Sequence, residues 1–99
     1  MPDRFYHTKK WERLRKAILA RDKYQCQLSK RYGKNVQANT VHHIFPRDSF
    51  PQYQYKSWNL ISLCHEAHEA MHERNGGTLT DAGKELLRRT ARKRGINIE

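Results

Sequence analysis

Five of the six histidines in this chain lie between positions 42 and 72. Imidazole both ligates metal ions and moves protons near neutral pH, so a histidine cluster points to metal or acid–base chemistry. His42 and His43 are adjacent in the apolar-flanked run Val41-His42-His43-Ile44. His68 and His72 are four residues apart. On a helix, that spacing puts two imidazoles on one face, where they can chelate one cation. Asn59 lies between the two pairs, directly after Trp58. A single histidine has an ordinary explanation, in the core or on the surface. Four at these spacings in one short basic chain do not.

The elements that must carry these residues follow from pattern and punctuation. Trp11, Leu14 and Ile18 fall at helical spacing, with Ala17 beside them, and predict a helix from about Thr8 to Arg21. Residues 24–35 contain Gly33 and Asn35 and read as a loop. Val36 to Ile44 reads as a short strand or hairpin arm. Residues 45–57, with Pro46, Pro51 and several aromatics, read as an irregular loop, and Trp58 to Leu63 as a second extended piece. A second helix is predicted from about His65 to Arg74, stopped by Asn75-Gly76-Gly77. In it His65, His68 and His72 share one stripe, and Glu66, Glu69 and Glu73 a neighbouring one, beside an apolar face of Cys64, Ala67, Ala70 and Met71. A basic C-terminal segment at 79–94 carries a helix from about Asp81 to Lys93, with Thr80 as N-cap and Gly95 as stop. Adjacent strand residues point to opposite sides, so His42 and His43 can serve one site only if the strand kinks.

Ninety-nine residues are the size of one domain, 1–99. Twenty Lys and Arg against ten Asp and Glu give a net charge of +10. That excess points to a polyanion, either nucleic acid or an anionic membrane face. It is unevenly spread: residues 1–40 carry +8, residues 41–75 carry −1 and residues 76–99 carry +3. Two basic flanks therefore bracket a near-neutral, histidine-rich centre. The longest apolar run is Ala17-Ile18-Leu19-Ala20, far short of a membrane span, and the polar first fifteen residues do not read as a signal peptide. A cytoplasmic setting is expected. Cys26 and Cys64 cannot build a disulfide framework.

The order His42-His43, Asn59, His68, His72 resembles the HNH (His-Me finger, ββα-metal) endonucleases, similar to the small stand-alone HNH nicking enzymes of bacteria and phages. The resemblance runs from Trp11 to Arg74, with a core at 11–75. Trp11 to Asp22 followed by Tyr24-Gln25-Cys26 looks like the leading helix and knuckle. Val41 to Pro46 looks like the first catalytic strand, and Asn59 to Cys64 with His68 like the second strand and helix entry. The resemblance implies an α+β fold: a short antiparallel hairpin plus a helix, flanked by N-terminal and C-terminal helices. It implies that His43 activates water, with an imidazole pKa near the unperturbed ~6.5. It implies that Asn59 orients the His43 ring. One divalent cation would be held by His42, His68 and His72, with His72 the third ligand of the colicin-type branch. The implied reaction hydrolyses a phosphodiester of double-stranded DNA to 5′-phosphate and 3′-hydroxyl ends. One site per chain implies that a monomer nicks one strand, and with no apolar patch to read as a dimer face a monomer is expected.

Three neutral nitrogens without a carboxylate suit Mn²⁺, Co²⁺, Ni²⁺ or Zn²⁺ better than hard Mg²⁺, and Mn²⁺ is favoured. Half of each Cys-x-x-Cys pair that many family members use for zinc is missing, so a four-cysteine zinc is not expected. Packing is the expected role of Cys26 and Cys64, with a weak Cys26/Ser29/Cys64/His65 site as the alternative. Arg47, Lys9, Lys10, Arg13 and Lys16 are candidate DNA contacts, as are Arg15, Arg21 and the arginines and Lys93 of the last helix. Three other readings remain open. His68-Glu69-Ala70-Met71-His72 matches the His-Glu-x-x-His zinc peptidase signature, but that reading leaves His43, Asn59 and the basic flanks without a role. A non-catalytic metal-stabilised DNA-binding module fits the charge equally well. A basic RNA-associated protein explains the charge but not the histidines.

Overall fold

A computed structural model describes residues 4–73 and 78–98. After a 3₁₀ turn at Arg4–His7, helix α1 spans Lys9–Arg21. Thr8 caps it, its hydroxyl accepting from the Trp11 N–H at 3.2 Å. Trp11, Ile18 and Leu19 form its buried stripe. Past Asp22 the chain reverses through Lys23 and Tyr24, whose φ values of 55° and 56° are left-handed. Two successive non-glycine residues there are unusual, and closure of the knuckle offsets the strain. Cys26 N–H bonds Val36 O at 2.7 Å, and Ala38 N–H bonds Tyr24 O at 2.8 Å. A short helix α2, Gln27–Arg31, lies inside this loop where the sequence showed only turn signals.

Strands β1 (Thr40–His43) and β2 (Leu60–Leu63) form an antiparallel two-stranded sheet. The register pairs His42 with Ile61 and His43 with Leu60. β1 is shorter than the expected 36–44, because Val36 and Gln37 pair back onto Cys26 and Gln25 instead. Ser57–Asn59 is a 3₁₀ turn, so the second extended piece begins at Leu60, not Trp58.

The hairpin divides two cores. Val41 and Leu60 pack with Trp11, Ile18, Leu19 and Phe5. Leu63 packs with Cys26, Ile44, Phe45, Met71, Leu86 and Ala91. With both faces covered, all of β1 beyond Thr40 is buried, histidines included.

Helix α3 spans only His65–Glu69, which corrects the expected helix to Arg74. His72 instead forms an antiparallel bridge with Leu79. Residues 74–77, which include the expected stop signal, lie outside the described residues. Helix α4 spans Asp81–Arg94, capped by the Thr80 hydroxyl and ended by Gly95 in the left-handed conformation. No described helix is long and apolar enough to cross a membrane.

Asp22 ties α1 to the hairpin. Its carboxylate accepts from the Arg21 guanidinium at 2.9 Å and from the Ser62 N–H at 3.0 Å. The same guanidinium donates to Ser57 O and Leu60 O. Burial alone would raise the Asp22 pKa, but the hydrogen bonds from Arg21 and Ser62 outweigh it and hold the group below its ordinary 3.8. Ionised Asp22 therefore contributes stability that is present above that value and lost as pH falls through the lower folded one. Asp22→Ala leaves the buried Ser62 N–H unpaired and is expected to cost about 1–3 kcal/mol at neutral pH. In denaturant titrations against pH, the gap between the two proteins should shrink below pH 3.8.

Candidate metal and catalytic centre

Although His42 and His43 point to opposite faces of β1, both line one open cleft of about 580 Å³. The rest of its wall comes from α1, the 46–48 turn and the His68/His72 pair, including Trp11, Arg15, Arg47 and Asp48. Among the described residues β1 has no strand beyond it, so side chains from both faces reach its free edge. No kink is needed, which corrects that condition of the sequence reading.

On one side of the edge, His42, His68 and His72 form a nearly equilateral triangle. Their ring centroids are 5.3 Å (His42–His68), 5.2 Å (His42–His72) and 5.1 Å (His68–His72) apart. Each offers one ring nitrogen, and these nitrogens lie within 4.8 Å of one another. The His42 Nε2 is buried and has no hydrogen-bond partner among the described residues. Burial pushes the His42 pKa down to about 3, with further lowering from His68, His72 and His43. Burial also lowers His68, with His72 adding to it and Glu69 partly opposing. Three imidazoles converging within this distance, one with a buried and unbonded ring nitrogen, fit the donor set of a divalent transition-metal ion.

The triangle is not built on a helix, as its spacing suggested. α3 supplies His68, but the chain leaves the helix before His72. The Thr80 hydroxyl bonds Ala70 O, and Thr80 N–H bonds Met71 O at 2.9 Å. The bridge to Leu79 then sets His72. This also weakens the peptidase reading, because Glu69 is exposed and paired with His65 at 3.4 Å. His65 is turned outward and joins neither the triangle nor the cysteines. Buried Cys26 hydrogen-bonds Ser29 and Cys64; burial raises its pKa, and those bonds bring it to below the ordinary thiol value.

On the other side of the edge, His43 stacks on Trp11, with ring centroids 5.1 Å apart and planes 20° apart. Phe5 and Tyr6 close the box at 5.7 and 6.2 Å. The His43 Nε2 lies 3.1 Å from Gln54 O. A carbonyl only accepts, so Nε2 carries the proton and Nδ1 the lone pair. Burial pushes the His43 pKa down to about 4, with the Gln54 carbonyl opposing and Arg47 adding to the fall. That corrects the unperturbed value expected from sequence.

Asn59 is fully buried and does not reach the ring itself. Its carboxamide accepts from Phe45 N–H at 2.7 Å and donates to Phe45 O at 3.2 Å and Tyr53 O at 3.1 Å. It thereby pins the loop whose next residue, Gln54, holds His43. Arg47 is brought to the cleft, its guanidinium 3.8 Å over the Phe5 ring. Lys9, Lys10, Arg13 and Lys16 are exposed on α1 but do not line the cleft, and Lys10 lies 3.8 Å over Tyr55. Phe5, Tyr6 and Gln54 were not singled out from sequence; the only signal was an aromatic pair just ahead of the Thr8 cap.

A hairpin and helix presenting this histidine triangle beside a buried, tautomer-fixed imidazole is the ββα-metal finger, and the chain belongs to the HNH endonuclease family. It is similar to the HNH endonuclease of deep-sea thermophilic bacteriophage GVE2, solved with manganese ion. The two are 40% identical, with 66% of this chain and 71% of that one covered, at a TM-score of 0.64. Neither a family profile nor a curated protein matches the chain.

The position of His72 rests on one close approach. A Cβ on Gly83 would lie 2.6 Å from Met71 O and 3.0 Å from a Leu79 methyl. Gly83→Ala must therefore push α4 away from Met71 and Leu79. It is expected to cost about 1–3 kcal/mol and to weaken Mn²⁺ affinity several-fold, measured by thermal unfolding and calorimetric titration.

Proposed function

We propose that the protein is a divalent-metal-dependent DNA endonuclease that nicks one strand of duplex DNA, leaving 5′-phosphate and 3′-hydroxyl ends. The observation that carries this reading is the convergence of His42, His68 and His72, whose ring nitrogens lie within 4.8 Å of one another, at a cleft that also contains His43. Family membership and the charge of +10 support it. His42, His68 and His72 are the residues that would hold the cation. When bound, the cation supplies charge stabilisation at the phosphate and at the departing 3′ oxygen.

His43 is the general base. With its Nε2 proton committed to Gln54 O, its Nδ1 takes a proton from water as the water oxygen bonds phosphorus and the bond to the 3′ oxygen breaks. Burial keeps the ring neutral, and Trp11 fixes its plane. Asn59 is a positioning residue that acts through the Tyr53–Gln54 backbone. Arg47 and Arg15 at the cleft wall are placed to meet phosphates, with Lys9, Lys10, Arg13 and Lys16 adding field from α1. One such centre per chain, acting as a monomer in the cytoplasm, cuts one strand per encounter. Mn²⁺ is favoured, with Mg²⁺, Co²⁺, Ni²⁺ or Zn²⁺ as alternatives.

The test is supercoiled-plasmid cleavage across a panel of divalent metals. The expected product is nicked circle, formed faster with Mn²⁺ than with Mg²⁺. His43→Ala should lower the rate at least a hundredfold with Mn²⁺ affinity retained, consistent with the roughly 10²–10⁴ that general-base catalysis supplies. Glu69→Ala should change it little. A gel shift without nicking in any metal would instead mark a binding module, and loss of activity only in Glu69→Ala would favour a peptidase-like site.

A further inference from the structure

A second cavity, of about 630 Å³, lies along the β2 side of the hairpin and shares no lining residue with the histidine cleft. Five exposed cations line it; Arg21 is held by Asp22, and four others wall the groove. Lys30 and Arg31 come from the last turn of α2, and Lys93 and Arg94 from the last turn of α4. Among the described residues, none of the four pairs with a carboxylate. Asp22 also lines the groove, but its oxygens are already taken by Arg21 and the Ser62 N–H. The same helix shows the contrast: Arg88 and Arg92 face away and share Glu85. The apolar floor is recessed, and the Arg94 guanidinium covers Trp58 at 4.7 Å.

Four cations of one sign, facing each other from two helix ends, raise the local potential and attract a polyanion. Their exposed side chains do not enclose a small anion. Ile44, Leu60 and Leu86 on the floor are buried and Trp58 lies under the Arg94 guanidinium, so little apolar surface is offered to a lipid. We propose that this groove binds the phosphodiester backbone of DNA outside the segment held in the histidine cleft, so that the enzyme grips its substrate at two places. The substrate class rests on the nuclease reading above. The contacts carry charge rather than sequence information, so the groove adds affinity without adding a recognition sequence.

The test is the triple variant Lys30→Gln/Arg31→Gln/Lys93→Gln in the full chain, which changes only exposed side chains. Binding of a labelled duplex of about 30 base pairs is read by fluorescence anisotropy without metal, across a salt series. The affinity is expected to fall about tenfold or more. The slope of log affinity against log salt should become shallower by roughly two to three, at about 0.9 for each phosphate no longer neutralised. The Mn²⁺-dependent cleavage rate at saturating DNA should stay within twofold of the unmodified protein. Unchanged affinity and slope would overturn the proposal, and so would a lower melting temperature alone, which would mean that these charges serve only the helix ends. If the unmodified protein binds DNA but cleaves none with any metal, the nuclease reading fails while the anisotropy result still judges the groove.

Discussion

A buried polar nitrogen left without a partner costs about 1–3 kcal/mol, and His42 Nε2 is such a nitrogen among the described residues. Most of the architecture around it makes sense as a means of holding that atom in place. β1 buries His42 on one face, α3 delivers His68, and the Met71–Leu79 crossing delivers His72. Three imidazole rings converge where folding alone would prefer an apolar contact. A cation at their centre would offset the desolvation, because each lone pair would gain a ligand bond in place of water.

The second constraint is the two-stranded sheet. A further strand beyond β1 would separate the two faces of the sheet and with them His42 from His43. With β1 at a free edge, adjacent residues on opposite faces both open onto the same cleft. The consequence is a sheet too small to be stable alone, and the two cores on either side of it compensate. Asp22 and Arg21 close one end of this sandwich, and Asn59 the other, so their hydrogen bonds tie the hairpin to its helices and to the following loop.

Much of this was legible in the sequence where local chemistry decides the outcome. Thr80 and Gly95 mark the ends of the last helix by capping, and α4 begins and ends where those residues put it. The histidine order was legible because few other arrangements need it. What pattern could not show were long-range substitutions of one partner for another. α3 stops early because Thr80, ten residues downstream, satisfies the Ala70 carbonyl. The 36–44 strand is shortened because Val36 finds Cys26 across the knuckle. His68 and His72 do meet, but through a β-bridge rather than a shared helical face. Asn59 is expected to hydrogen-bond in the region of His43, and the route, through Tyr53 to the neighbouring Gln54 carbonyl, is what pattern could not show. The aromatic box of Phe5 and Tyr6 was invisible because those residues lie outside any periodic element.

The most direct test of the central claim is diffraction from Mn²⁺-soaked crystals, with anomalous scattering used to locate the ion. The account predicts a single strong peak bonded to His42, His68 and His72, with His42 Nε2 among its ligands. A peak elsewhere, or none while the three rings stay as they are, would contradict it.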